Sequence, residues 1–131
     1  MEPITGPRIL VVEKDRDVGE TLDALLREEG YEPTVVATGS EAMALVDRGG
    51  FALVVTDLLG WWPDQALDQE LLLRERAYPT PVGILTAWPL DADMVRRVGF
   101  AFLAQKPFDM DDLSRHIGGV LATPVTAGCR G

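Results

Sequence analysis

The tetrapeptide Val54-Val-Thr-Asp57 ends a short run of branched apolar residues with a carboxylate. Apolar runs of a few residues, bounded by polar residues, are typical of strands that a sheet buries on both faces. Two more runs of this kind precede it along the chain, and two follow it. The five predicted strands cover residues 8–12, 34–37, 52–56, 82–86 and 100–104.

Segments with apolar residues at helical spacing follow each predicted strand. The first carries Leu22 and Leu26 on one side, Asp15 or Asp17 can cap its start, and Gly30 follows its end. The other four predicted helices cover about residues 40–48, 64–77, 91–98 and 109–121. Strands that are joined through helices run parallel, so the pattern predicts an α/β fold with a doubly wound five-stranded parallel sheet. We expect one domain over residues 1–131, with a core at about 8–122 and a loose tail at 123–131.

Composition and charge exclude several classes of protein. The chain has 131 residues, 47% of them hydrophobic and 25% charged, which is typical of a globular domain. Its formal net charge of −9 opposes binding to nucleic acid. The apolar runs are too short to cross a bilayer, and the first residues lack the pattern of a signal peptide. A single cysteine fits a reducing compartment, so we expect a cytoplasmic protein.

The residues that follow the predicted strands are polar and chemically complementary. In an open parallel sheet, ligands bind beyond the carboxyl ends of the strands. Asp57, Thr86 or Lys106 alone is an ordinary turn, strand-end or surface residue. Four such motifs at one edge of the sheet predict a site, namely Glu13-Lys-Asp15, Asp57, Thr86-Ala87 and Lys106-Pro107.

In this order, the motifs resemble those of response regulator receiver domains, the CheY-like family. The resemblance implies a flavodoxin-like strand order of 2-1-3-4-5, with five flanking helices. It also implies that Asp57 is the phosphate acceptor and that Thr86 and Lys106 contact the phosphoryl group. The function so implied is phosphorelay signalling in a two-component system, with a histidine kinase or a phosphotransfer protein as the donor.

The acidic pair of the family is altered in this sequence. Receivers usually carry two adjacent carboxylates here, and the second is a direct metal ligand. The resemblance therefore implies a Mg²⁺ site made by Glu13, Asp57 and the backbone carbonyl of Leu59. Lys14, however, occupies the second position and has no acceptor atom. Two arrangements stay open: Lys14 pairs with Asp57 in place of the metal, or it points outward while Asp15 joins Glu13 in a weaker site.

Two further departures concern the surroundings of the site. The loop after Asp57 contains Trp61-Trp62, which either binds a partner protein or folds back over the third helix. The family usually has an aromatic residue three positions before the lysine, where this chain has Leu103, with Phe102 one position earlier. Either the fifth strand is irregular or the aromatic switch is absent.

Signalling through protein contacts is the leading functional prediction. The resemblance implies a downstream protein that binds the face of the fourth helix, fifth strand and fifth helix, and it is compatible with a homodimer. We expect no enzyme activity beyond phosphoacceptor and self-dephosphorylation chemistry. The alternative is a pseudo-receiver that works without phosphorylation. A hydrolase of the haloacid dehalogenase type is disfavoured, because it requires a second aspartate where this chain has Leu59.

Overall fold

The computed structural model describes residues 6–57, 68–87, 90–107 and 109–122. Along these residues, strands and helices alternate. The strands are β1 (Arg8–Val12), β2 (Glu32–Val36), β3 (Leu53–Asp57), β4 (Val82–Thr86) and β5 (Leu103–Gln105). The helices are α1 (Arg16–Glu28), α2 (Gly39–Arg48), α3 (Asp68–Ala77), α4 (Ala92–Arg97) and α5 (Met110–Ala122). The predicted tail at 123–131 lies outside the described residues.

The strands form a parallel sheet in the order β2-β1-β3-β4-β5, which confirms the predicted fold and strand order. The chain moves outward from β1 to β2 and then crosses back to β3 on the other side of β1. The switch in direction therefore lies between β1 and β3, and the carboxyl ends of these strands are neighbours. Crevices at such switch points are where open α/β sheets bind ligands.

A layer of apolar side chains covers each face of the sheet. Neighbouring residues of β3 point to opposite faces, so Val54 lies in one layer and Val55 in the other. The Val54 layer packs against α2, α3 and α4, and the Val55 layer packs against α1 and α5. Burial on both faces explains why the strands have continuous apolar sequences.

Local side-chain contacts fix the starts of the first two helices. Asp15 is the N-cap of α1, where its side chain accepts hydrogen bonds from the backbone N–H groups of Asp17 and Val18. Thr38 caps α2 in a capping box with Glu41. The sequence left Asp15 and Asp17 as alternatives, and the structure selects Asp15.

The predicted bounds of β1 and β4 are confirmed, whereas those of three strands were wrong. β2 begins at Glu32 because Pro33 is tolerated in this edge strand, where it lies opposite Ile9. β3 ends one residue later than predicted, since Asp57 itself pairs with Leu85. β5 begins at Leu103 rather than at residue 100, because the run starts at the end of α4, where the Phe100 N–H donates to the Val95 carbonyl at 3.2 Å.

None of the helices in the described ranges is long and apolar enough to span a lipid bilayer.

Candidate functional site

Four strand ends bring the predicted site residues to one edge of the sheet. Glu13 directly follows β1, and its backbone N–H donates to the Val36 carbonyl at 2.9 Å. Asp57 is the last residue of β3, and Thr86 is the last residue of β4. The Lys106 N–H donates to the Thr86 carbonyl at 2.6 Å, which continues the pairing of β4 with β5.

Asp57 and Glu13 are carboxylates that the fold removes from water, being 5% and 2% exposed. Buried carboxylates need cations or hydrogen-bond donors to offset the loss of hydration. Lys106 supplies both carboxylates with one ammonium group. Its Nζ lies 2.8 Å from Glu13 Oε1 and 3.4 Å from Asp57 Oδ1.

The second oxygen of Glu13 is also engaged, because Oε2 accepts a hydrogen bond from the Asp15 N–H at 3.1 Å. Burial raises the pKa of Glu13 above its ordinary value, and the hydrogen bonds from Lys106 and from the Asp15 backbone act in the opposite direction. Each Glu13 oxygen therefore already accepts a hydrogen bond from the protein.

Lys14 contacts Asp57 from the solvent side. Its Nζ lies 4.0 Å from Asp57 Oδ2, while its own side chain is 62% exposed. This is an ion pair at a distance longer than a hydrogen bond. Lys14 thus combines features of both arrangements left open by the sequence, because it makes a long ion pair with Asp57 while most of its side chain faces solvent. The two oxygens of Asp57 therefore face two different ammonium groups.

Of the other predicted metal ligands, Asp15 is engaged elsewhere. Oδ1 of Asp15 caps α1, at 2.9 Å from the Asp17 nitrogen and 3.2 Å from the Val18 nitrogen. Leu59 lies outside the described residues, as do Trp61 and Trp62. Within the described ranges, no three His, Cys, Asp or Glu side chains are grouped so that they could hold a metal ion.

A cavity beside Lys106 was not predicted from the sequence. It has a volume of about 470 Å³ and lies between the first turns of α1 and α5. Its lining residues are Asp17, Val18, Thr21, Ala87, Lys106, Pro107 and Met110. Asp17 and Thr21 are one helical turn apart, a spacing that places them on one side of α1. That spacing could have indicated a shared surface on α1, but the sequence did not show that this side of the helix faces Lys106.

Phe102 and Leu103 point to opposite faces of the sheet. Phe102 is buried in the layer of α1 and α5, whereas the half-buried Leu103 packs with the layer of α2, α3 and α4. The Phe102 ring lies over Gly83 of β4 and stacks on His116 of α5, with ring centroids 5.1 Å apart. The aromatic residue of the family pattern is therefore absent at position 103, and Phe102 occupies a different layer.

Sequence comparison relates the chain to response regulators. No protein-family model matches it. The transcriptional activator protein PfeR of Pseudomonas aeruginosa is 35% identical over 122 residues, which cover 90% of this chain and 39% of PfeR. The sensory transduction protein RegX3 of Mycobacterium tuberculosis is 34% identical over 117 residues, which cover 86% of this chain and 50% of RegX3. The chain thus spans half or less of the length of these relatives.

Solved structures provide relatives that the chain covers almost completely. The non-phosphorylated HemR receiver domain of Leptospira biflexa is 32% identical, with a TM-score of 0.75, over 89% of this chain and 95% of that domain. The receiver domain of a sensor histidine kinase from Pseudomonas aeruginosa is 26% identical, with a TM-score of 0.72. The match covers 90% of this chain and 99% of that domain. That domain is described with a magnesium ion coordinated in its active site cleft.

Proposed function

Because this chain belongs to the receiver domains of two-component response regulators, we propose that it accepts a phosphoryl group on Asp57. The observation that carries the proposal is the position of the Asp57 carboxylate, at the end of the central strand with the Lys106 ammonium 3.4 Å from Oδ1. Thr86 ends the neighbouring strand. The proposed donor is a phosphorylated histidine of a histidine kinase or phosphotransfer protein.

The reaction needs a nucleophile and positive charge. A carboxylate oxygen of Asp57 attacks the phosphorus, the bond from phosphorus to the imidazole nitrogen breaks, and an acyl phosphate forms. Lys106 lowers the repulsion between the phosphoryl oxygens and the carboxylates, and the Thr86 hydroxyl can donate to a phosphoryl oxygen. We assign the chain no further catalysis than this transfer and the later hydrolysis of its own acyl phosphate.

Magnesium would supply further positive charge to this reaction, but the residues present fit it poorly. Of the predicted ligands that lie within the described residues, the Glu13 and Asp57 side chains come together, whereas Asp15 caps α1. Both contact Lys106, and Asp57 also faces Lys14. An ammonium group beside a carboxylate competes with a metal for the same oxygens. We therefore propose a weak Mg²⁺ site at most, and no step of the transfer is assigned to it.

Output is proposed to pass to a downstream protein through the face formed by α4, β5 and α5. The Thr86 carbonyl accepts a hydrogen bond from the Lys106 N–H, and Thr86 lies opposite Gln105 in the pairing of β4 with β5. A displacement at the end of β4 is therefore transmitted to β5. The net charge of −9 favours a protein partner over nucleic acid for this domain. A reducing compartment, the cytoplasm, is the proposed location.

Phosphorylation by a small phosphodonor tests the proposal. The purified chain is incubated with phosphoramidate, and intact mass spectrometry measures whether one phosphoryl group is added. We expect addition in the wild type and none in Asp57→Asn. Asp47→Asn is the matched control, since Asp47 is paired with Arg76 away from the site and should leave the addition unchanged.

The Lys14–Asp57 contact is the observation that favours the alternative, a pseudo-receiver that signals without phosphorylation. In that case Lys14 would hold Asp57 in one permanent state. No phosphoryl addition to the wild type, with or without magnesium, would contradict phosphoacceptance and support this alternative.

A further inference from the structure

We propose that Lys14 is the resident counter-ion of Asp57, so that phosphoryl acceptance by this domain proceeds without a divalent metal ion. The inference rests on the proposed function, because it concerns how Asp57 tolerates the incoming phosphoryl group. It starts from the poor fit between the site residues and magnesium.

The formal charges of the four described side chains that contact one another balance without a metal. Glu13 and Asp57 contribute two carboxylates, and Lys14 and Lys106 contribute two ammonium groups. A carboxylate at position 14 would leave three carboxylates against one ammonium group. That deficit of two positive charges is what a divalent cation neutralises. The lysine at this position therefore removes the electrostatic requirement for the metal.

The two carboxylates share Lys106, and Lys14 adds a second ammonium group to Asp57. Lys106 lies closer to Glu13, at 2.8 Å, than to Asp57, at 3.4 Å. Lys14 makes its ion pair with Oδ2 of Asp57, whereas Lys106 makes its ion pair with Oδ1. Asp57 therefore shares its nearer cation, Lys106, with Glu13, and Lys14 supplies the second positive charge that the two carboxylates need.

The exposure of Lys14 suits a counter-ion that has to move. Its side chain is 62% exposed, while the Asp57 side chain is 7% exposed. An ammonium group on a long, flexible and hydrated stem can shift at little cost toward new phosphoryl oxygens. The 4.0 Å separation is longer than a hydrogen bond, so Lys14 is not held to Oδ2 by a direct hydrogen bond. When Asp57 gains the phosphoryl group, its added negative charge strengthens the attraction to Lys14.

The test compares phosphorylation rates with phosphoramidate in EDTA and in magnesium for the wild type, Lys14→Gln and Lys14→Asp. We expect the wild-type rate to differ by less than about twofold between the two buffers and Lys14→Asp to be at least about tenfold faster in magnesium, because the added carboxylate beside Asp57 creates negative charge that a divalent cation neutralises. Lys14→Gln should be slower than the wild type in EDTA. Arg16→Gln is the matched control, because it removes a positive charge two residues away, from an exposed pair with Glu20.

Direct magnesium binding, measured by titration calorimetry, supplies a readout that does not depend on phosphorylation. We expect binding by Lys14→Asp at concentrations where the wild type and Arg16→Gln show none. Circular dichroism of each variant verifies that it is folded, which the exposure of both side chains leads us to expect.

The outcomes separate this inference from the proposed function. A wild type that is phosphorylated only in magnesium, or a Lys14→Gln variant as fast as the wild type in EDTA, overturns the role of Lys14 and leaves Asp57 as the acceptor. If no variant gains a phosphoryl group in either buffer, the proposed function is overturned and this inference with it.

Discussion

Glu13 shows how burial and pairing oppose each other in one side chain. Burial favours its protonated form and raises its pKa, while the hydrogen bond from Lys106 favours the ionised form and lowers it. The raised pKa means that the burial effect is the larger. An ionised Glu13 therefore costs the folded state free energy, and the carboxylate is held at the site at the expense of stability.

The pH dependence of stability should reveal this cost through the variant Glu13→Gln. Well below the ordinary value of 4.5, the carboxyl is protonated in both the folded and the unfolded chain. As the pH rises through the raised pKa, the folded state loses the stability that its protonated form provides. We expect the free energy of unfolding of Glu13→Gln, relative to wild type, to increase over this window, as measured by urea denaturation from pH 4 to pH 8.

Glu28→Gln is the control for this experiment, since it removes one negative charge from the exposed side of α1. The difference in free energy of unfolding between Glu28→Gln and wild type should change less from pH 4 to pH 8. A constant or falling difference for Glu13→Gln would contradict the assigned effect of burial.

A substitution at Thr86 is predicted to preserve phosphoryl acceptance by Asp57 while removing the structural response that follows at the end of β5. Thr86→Ala removes the hydroxyl but keeps the backbone carbonyl that bonds Lys106. The variant should gain the phosphoryl group, because Asp57 and Lys106 remain, but should lose most of the amide chemical-shift change at Gln105 and Lys106. NMR spectra before and after phosphoramidate measure this, with Thr86→Ser as the control that retains the hydroxyl. Equal shift changes in Thr86→Ala and wild type would show that the hydroxyl does not transmit the signal.

The members of the site could be predicted from the sequence, but their pairing could not. Strand-end positions identify Glu13, Asp57, Thr86 and Lys106, because parallel strands gather their carboxyl ends at one edge. The sharing of Lys106 between two carboxylates depends on distances across the sheet, between residues up to 93 positions apart. The 4.0 Å approach of Lys14 depends on a side-chain conformation that sequence spacing does not fix.

Between elements, β4 and α5 are held together by Phe102, which occupies the space that Gly83 leaves open. A Cβ atom at Gly83 would lie 2.3 Å from the Phe102 ring, which is buried and stacked on His116. The apolar run from residue 100 indicated a strand, yet its first aromatic residues pack before β5 begins. Its length alone could not show this, since turn and strand residues are equally apolar where both are buried.

Gly83→Ala should therefore destabilise the chain. Adding a methyl group to this packed layer forces the ring to move, at a cost of about 1–3 kcal/mol. Gly118→Ala is the matched control: it adds the same methyl group within α5, where, apart from the backbone of the helix itself, the described residues have no atom within 4 Å of the new Cβ. We expect it to stabilise the chain by up to about 1 kcal/mol. Urea denaturation measures both, and a Gly83→Ala variant as stable as wild type would contradict the tight packing.

At the level of the molecule, one sheet separates two apolar layers, and each strand contributes to both. Side chains of β3 alternate between the two layers, so both layers are attached to the same strand backbone. A loss of packing in one layer therefore disturbs the backbone that also supports the other. The continuous apolar runs of the sequence predicted this arrangement, because burial on both faces favours apolar residues at successive positions. We therefore expect the described core to unfold as one cooperative unit.

The neighbours Val54 and Val55 provide a matched pair of variants for that expectation. Both are buried, at 0% and 1% exposure, and their side chains enter opposite layers. Val54→Ala and Val55→Ala should each lower the free energy of unfolding by about 1.5–3 kcal/mol, from lost apolar burial and an incompletely closed cavity. Far-ultraviolet and near-ultraviolet circular dichroism should give coincident urea transitions in both variants, because secondary structure and side-chain packing are lost together. Separate transitions in either variant would show that the two layers unfold independently, which would contradict a core coupled through the shared strand.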